Sequence, residues 1–348
     1  FDVGYSLNGI AITPETVTAT LGVGMSMNYT FTTTANLSTA GNYNIDAYTL
    51  LTGDSDATND SSSTSAYNNP IISSFPYSES FESGPANWRT TGFTTFELGA
   101  PINAIIDTAS DGTQAWVTDL DGLYLVNESG AVNSPCFDFT NVANPYIELD
   151  IWWDAENSWD GAVLQSSIDG GATWQKVGAD GDPNNWFNDN SIAGLASLEP
   201  SQEGWTGSPG SLGWVTAIHA LDGLGGQPSV QLRIAFGSDG SVVDEGFAFD
   251  NVNIYQVYTV PFAEDYEDFN NGAANQNDWN NTRTANPRWT ADNGGTPSSA
   301  TGPTVDHTLG TSLGKYVFLE TSGGALGNRD TLSSPSIVVN STQTTLSL

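Results

Sequence analysis

The sequence predicts an all-β protein, and three observations point there. Aromatic and turn-forming residues are abundant (Gly 37, Trp 11, Tyr 12, Phe 15), whereas only 14% of residues are charged. Short stretches alternating apolar with polar residues recur between Gly-, Asn- and Ser-rich segments, the pattern of half-buried strands joined by turns. No window sustains a 3.6-residue apolar stripe, and no apolar run approaches the roughly 20 residues of a membrane helix. The chain of 348 residues has room for two or three domains. The expected order is a sandwich end over residues 1–70, a complete sandwich over 71–258, and the start of another over 259–348.

Charge narrows the partners. Asp and Glu number 40 against 7 Lys and Arg, a formal net charge of −33, so a phosphate backbone is repelled and nucleic acid is excluded as a partner. Such a surface keeps a secreted protein soluble, and carboxylates in this number suit Ca²⁺, which takes oxygen ligands. The single cysteine, Cys136, rules out an intrachain disulfide framework. It lies in the alternating run Ser134-Pro135-Cys136-Phe137-Asp138-Phe139 and reads as a buried thiol. The two histidines, His219 and His307, stand far apart, and neither belongs to an H-E-x-x-H or triad-like grouping. There is no P-loop, dinucleotide fingerprint or C-x-x-C pair. An acid pair for glycoside hydrolysis cannot be picked out among so many acids. No residue is therefore assigned a catalytic role. The chain runs from Phe1 to Leu348 and reads as a piece of a longer one, with signal peptide, anchor and sorting domain outside it.

Taken in order, residues 1–70 offer strands at Thr16–Leu21, Met27–Thr32 and Asn42–Thr49, separated by Gly and Asn turns. They resemble the last strands of the Ig-like domains found between modules of bacterial surface proteins, which predicts an Ig-like sandwich lacking its first strands. The polar run Asp54–Tyr67 reads as a linker. A module then opens with Phe75-Pro76-Tyr77-Ser78-Glu79-Ser80-Phe81-Glu82-Ser83-Gly84 and Trp88. It continues through Ala115–Thr118, Ser134–Phe139, Tyr146–Trp153, Ala162–Ile168 and Ser229–Phe236. It closes on Asp244-Glu245-Gly246-Phe247-Ala248-Phe249-Asp250-Asn251-Val252-Asn253-Ile254.

Within it, Ser167-Ile168-Asp169-Gly170-Gly171-Ala172-Thr173-Trp174 fits S-x-D-x-G-x-x-W and resembles the Asp-box hairpin. In such a turn Asp169 folds back on freed donors, Gly171 supplies a positive φ and Trp174 clamps the turn to the sheet. Asp boxes recur several times in sialidase propellers. This chain has one, which favours a structural hairpin on Ser167, Asp169, Gly171 and Trp174 over a catalytic propeller.

The opening "ESFESG…W", the middle "SPCFDF" and the closing "EGFAFDNVNI", in that order, resemble the jelly-roll family of MAM, cleaved-adhesin and choice-of-anchor modules of Bacteroidota secreted proteins. The resemblance covers the whole of 71–258. It implies a two-sheet antiparallel sandwich with its first and last strands adjacent and a Ca²⁺ near their seam, which would place Glu82 beside Asp250. Two neighbouring buried carboxylates are costly without a cation between them. Glu156 and Asp160, in the loop Asp154–Gly161, are candidates for a second ion or for fixing that loop. The long segment Asn184–Gly213 carries Trp186 and Trp205, either a ligand-stacking loop or a cover for one sheet.

From Pro261 the motif order restarts. Pro261–Asp268 parallels Pro76–Ser83, Lys315–Leu319 parallels Gln114–Thr118, and Ser334-Pro335 parallels Ser134-Pro135. Glu267 and Asp306 become the metal candidates of this copy. Its missing closing strand leaves edges unpaired. Asp107-Thr108-Ala109 and Asp330-Thr331-Leu332 resemble the short O-glycosylation signal of Bacteroidota.

The resemblance implies an extracellular, non-enzymatic part of a large cell-surface adhesin, exported by type IX secretion and, in gliding species, serving motility. Its partners would be a surface polysaccharide or cell-surface protein, with the secretion and motility machinery of the outer membrane. The alternative is an accessory binding module of a secreted hydrolase whose catalytic domain lies elsewhere.

Overall fold

The computed structural model describes residues 1–259, 262–298 and 301–338. Described helical structure amounts to two short 3₁₀ turns, Ala57–Asn59 and Ala193–Ser197, and no described helix is long and apolar enough to cross a membrane. The chain is all-β. It forms two compact units, one of Phe1–Ile72 with Ser134–Cys136 and the other of the remaining described residues.

The first unit contains β1 (Asp2–Leu7), β2 (Ile10–Ala11), β3 (Glu15–Thr16), β4 (Gly41–Leu50), β5 (Ser61–Asn68) and β6 (Ile71–Ile72). An antiparallel sheet runs β2-β1-β4-β5, with β3 also on β1, the kind of layer an Ig-like sandwich end supplies. Two expectations change here. Met27–Thr32 is not a strand, nor is most of Thr16–Leu21. Instead the Glu15 carboxylate accepts the N–H groups of Thr32 and Thr33 and the Tyr29 hydroxyl, and this pins the segment in irregular form. The second half of the polar run Asp54–Tyr67 is a strand and not a linker. Ser61–Asn68 pairs with Gly41–Tyr48 along its whole length. An edge strand needs only backbone partners, so its Ser and Thr side chains can face water.

The second unit carries β7 (Tyr77–Glu79), β8 (Arg89–Phe93), β9 (Phe96–Gly99), β10 (Ala115–Thr118), β11 (Ser129–Phe137) and β12 (Pro145–Asp154). There follow β13 (Gly161–Ser167), β14 (Gln175–Lys176), β15 (Val215–Ala220), β16 (Val230–Gly237) and β17 (Gly246–Thr259). One layer runs β15-β12-β17-β10-β9, with β7 also on β17; the other runs β14-β13-β16-β11, with β8 on β11. This is the jelly-roll sandwich. In β12 the residues Ile147, Leu149 and Ile151 are buried while Tyr146, Glu148 and Asp150 are half-buried, the period-2 alternation of a strand with one face in the core. Cys136 is buried and unoxidised.

The first and last strands of the sandwich meet. Tyr77, Ser78 and Glu79 of β7 lie opposite Ile254, Asn253 and Val252 of β17, and the ring of Phe81 stands edge-on to Phe249 at 5.8 Å. Phe249 is fully buried and also meets Trp88 at 5.7 Å, Phe96 at 6.2 Å and Trp116 at 6.4 Å. Five aromatic rings thus pack together where the first and last strands meet.

Beyond β17 lie β18 (Gly272–Ala273), β19 (Asn280–Asn281), β20 (Arg288–Asn293), β21 (Lys315–Glu320), β22 (Leu332–Ser333) and β23 (Ser336–Val338). They form a sheet β18-β20-β21 and a pair β19-β22, while β23 runs parallel to the end of β17. Phe269, Ala274 and Ala291 make a small core with Tyr266, Trp279 and Trp289 packed on it. Residues 260–261, at the expected start of the second copy, and 339–348, at its end, lie outside the described residues.

Candidate metal centre and binding face

Glu82 and Asp250 grip one turn. Glu82 Oε1 accepts the N–H of Thr113 (2.9 Å) and Gln114 (2.7 Å), and Oε2 accepts the Thr113 hydroxyl. The Thr113 N–H, then that of Gln114, lowers its pKa. Asp250, fully buried, takes the N–H groups of Ser110 and Asp111 on Oδ2 and that of Asn251 on Oδ1. Burial nevertheless pushes its pKa up to about 6. Every oxygen of this pair faces a donor, so backbone N–H groups offset the charge that a cation was expected to offset. Glu267 repeats the arrangement: it accepts the N–H of Lys315, the residue that parallels Gln114. Asp306 accepts from Leu309 and Thr311, and despite its burial these donors and neighbouring Glu267 lower its pKa.

Glu156 and Asp160 do come together, and Asp239 joins them, with one ligand oxygen from each lying within 4.8 Å of the others. Asp160 is fully buried; it accepts the Tyr124 hydroxyl (2.7 Å) and the Asp239 N–H (2.6 Å). Burial dominates, raising its pKa to about 6. This group has the hard oxygen donors a divalent cation requires. Asp239 escaped the sequence reading. Its only signal is Asp239-Gly240 in the short connection before the closing motif, and a lone acid in a turn is ordinary.

Ser167–Trp174 forms the turn between β13 and β14. Asp169 accepts the Ser167 hydroxyl and the N–H and hydroxyl of Thr173, and these bonds, Thr173's hydroxyl first, hold its pKa at about 2. Gly171 has φ +88, a region that suits glycine. The Trp174 ring lies 4.1 Å beneath the Arg233 guanidinium of β16, and Arg233 in turn donates to Gln165 of β13 (2.7 Å). The turn is clamped to its sheet and contributes no reactive group.

Trp186 and Trp205 are 2% and 0% exposed, so neither offers a ring to a ligand. Trp205 exchanges backbone hydrogen bonds with Ala162, its ring meets Phe247 at 5.5 Å and Trp186 at 5.2 Å, and its indole N–H donates to Asn185. Of the two roles the sequence left open for this segment, covering a sheet matches the burial. Large aromatics in a long loop bury themselves when a sheet edge lies within reach.

A different surface presents aromatic rings. On the outer face of the β12 layer, Tyr146 stands opposite Tyr255 and Ala220, and Glu148 opposite Asn253 and Ile218, with Ser78 opposite Asn253 on the far side. All are half-buried except Ser78, which is exposed. The tyrosine rings stack at 6.4 Å and 26°. Burial, then Glu148, raises the Tyr255 pKa to about 12, so its phenol remains a neutral donor at physiological pH. One end of this face is walled by the loop after β9. Glu245 anchors that loop by accepting the N–H groups of Ala104, Ile105 and Ile106, and Ile106 is tucked against Ala115, Val117 and Ala248. Ser110 donates to Asp150 at the foot of the wall. The outward residues were legible in the alternation of β12 and β17, but which of them share a face depends on register between strands about 100 residues apart.

No family model matches the chain. The K1 cleaved adhesin domain of Lys-gingipain from Porphyromonas gingivalis W83 is 16% identical, covering 53% of this chain and 99% of that domain with a TM-score of 0.32. The CBM22-1 xylan-binding domain of Paenibacillus barcinonensis Xyn10C is 14% identical, over 51% of this chain and 92% of that domain, with a TM-score of 0.30. The C-terminal CBM6 of the marine laminarinase LamC from Zobellia galactanivorans is 14% identical, over 52% and 98%, with a TM-score of 0.28. Likeness at this level says nothing about what this chain binds.

Proposed function

We propose that this chain is a non-catalytic segment of a large secreted cell-surface adhesin of repeat-array type, and that its sandwich holds a neutral, hydroxyl-rich polymer such as a surface polysaccharide. The observation that carries the reading is the outer face of β7, β17, β12 and β15. There a stacked pair, Tyr146 and Tyr255, lies beside a carboxylate, Glu148, and an amide, Asn253. Sugar rings offer apolar faces for tyrosine and hydroxyls for carboxylate and amide groups, which is the mixture this face supplies. A net charge of −33 disfavours polyanions. Export by type IX secretion, surface attachment and a part in gliding belong to the same reading and rest on the family resemblance. Ca²⁺ is the supporting ion we assign to Glu156, Asp160 and Asp239, whose donors are all carboxylate oxygens.

The test is affinity electrophoresis and calorimetry against a panel of neutral and acidic polysaccharides. A neutral polymer should bind wild type, and Tyr146→Ala and Tyr255→Ala should each weaken it at least tenfold with unchanged melting temperature. Binding untouched by both substitutions removes the face from the account. Release of reducing ends from the bound polymer would make the chain an enzyme instead.

A further inference from the structure

The loops around Asp160 gather more unneutralised charge than Glu156, Asp160 and Asp239 alone. Asp154, the last residue of β12, is 2% exposed, and its Oδ1 has no hydrogen-bond partner. Glu156 Oε2, two residues on, is likewise buried without a partner. Buried polar atoms are nearly always paired, and a carboxylate oxygen withdrawn from water without a donor is the costly exception. Asp244, in the loop before β17, stands beside both: Asp154 lies opposite Gly246, two residues past Asp244, and the Asp244 carbonyl accepts the N–H of Tyr124, whose hydroxyl accepts the Glu156 N–H and donates to Asp160. Among the described residues the ion pairs are Lys176–Glu203 and His219–Asp182, and neither involves this group. Glu245 is occupied elsewhere, with the N–H groups of Ala104, Ile105 and Ile106.

We propose that Asp154 and Asp244 join Glu156, Asp160 and Asp239 in a single Ca²⁺ site that ties the β12–β13 loop to the β16–β17 loop. The proposal deepens the assignment of Ca²⁺ to the three-carboxylate group and rests on it. Two features of the fold give it purpose. β12 and β17 belong to one layer of the sandwich, β13 and β16 to the other, so each loop carries the chain across from layer to layer. A cation held by both loops staples the two crossings together. Five carboxylates, one at the end of a strand and four from the loops, suit Ca²⁺, which takes 6–8 oxygens in flexible geometry, whereas Mg²⁺ demands a strict octahedron and keeps its waters. Zn²⁺ is disfavoured by the lack of His or Cys in the group.

Calorimetry and thermal melts of the whole chain, stripped with EDTA and then given CaCl₂ or MgCl₂, test it. Ca²⁺ should bind and raise the melting temperature, and equal Mg²⁺ should do neither. Asp154→Asn and Asp244→Asn should melt at or above wild type in EDTA, because each removes a repelling charge, and should bind Ca²⁺ at least tenfold more weakly. Asp138→Asn, in neither of these loops and bonded to Thr140, should bind Ca²⁺ as wild type does. If Asp154→Asn and Asp244→Asn bind as wild type while Glu156→Gln and Asp160→Asn do not, the three-carboxylate site stands and the five-carboxylate site falls. If wild type gives neither heat nor a shift with Ca²⁺, both fall. If Glu82→Gln alone abolishes binding, the ion sits at the strand seam and the proposal is overturned.

Discussion

Replacing Phe81 and Phe249 by leucine, singly and together, tests whether the opening and closing strands of the sandwich meet through their aromatic rings. Phe249 is fully buried among Phe81, Trp88, Phe96 and Trp116, and Phe81 stands edge-on to it at 5.8 Å. Leucine keeps much of the volume, so each single change should cost roughly 1–1.5 kcal/mol. An edge-to-face aromatic pair is worth about 0.5–1.5 kcal/mol beyond its area, and that part is lost only once. The double variant should therefore be less destabilised than the sum of the singles by about that amount. Urea unfolding followed by near-UV circular dichroism gives the four free energies. At about 2–4 °C per kcal/mol for a unit of this size, the singles should also melt a few degrees below wild type. Additivity within about 0.3 kcal/mol would show that the two rings do not touch, and the closure of the sandwich by its terminal strands would have to be abandoned.

Other outcomes follow from the same geometry. Asp160 and Asp250 have folded pKa values raised to about 6, above the unfolded value of about 3.9. Between these values the folded state binds protons the unfolded chain has released, so stability falls as pH rises through this window, by at most about 3 kcal/mol per group. In EDTA the melting temperature should therefore be higher at pH 5 than at pH 7, and Asp250→Asn should flatten the profile; a profile rising from pH 5 to 7 contradicts this. Trp205→Ala should cost about 3–5 kcal/mol in urea unfolding because the ring is fully buried. The folded fraction should still bind polysaccharide, and selective loss of binding would return this tryptophan to the ligand site. Asp169→Ala should lower the melting temperature by freeing the turn donors of Ser167 and Thr173, without changing affinity for any polymer; an unchanged melting temperature would mean that the box does not hold its turn.

Where reading and structure part, the cause is separation along the chain. The turn at Ser167–Trp174 is made by residues within eight positions of each other, and its pattern carries its geometry. The fate of Ser61–Asn68 is set by β4, which offers a full row of backbone partners to a segment whose composition suggests a linker. Trp186 and Trp205 read equally as recognition residues or as a sheet cover until Ala162 and Phe247 arrive from other strands against Trp205, and Trp205 and His219 pack on Trp186. Glu82 and Asp250 stand in the opening and closing motifs, yet the donors of residues 110–114 that satisfy them come from a loop whose path no local pattern fixes.

By itself the sequence determined the class of fold, several strands of the sandwich and the hydrogen-bonded turn at Ser167–Trp174, since period-2 alternation, turn chemistry and short spacings are properties of neighbouring residues. Only the tertiary structure decided which carboxylates are satisfied by backbone N–H groups and which stand unpaired around Asp160, and which outward side chains assemble into one face. Both depend on strand register and on burial, which arise when residues as distant as Tyr146 and Tyr255, or Asp154 and Asp244, are brought side by side.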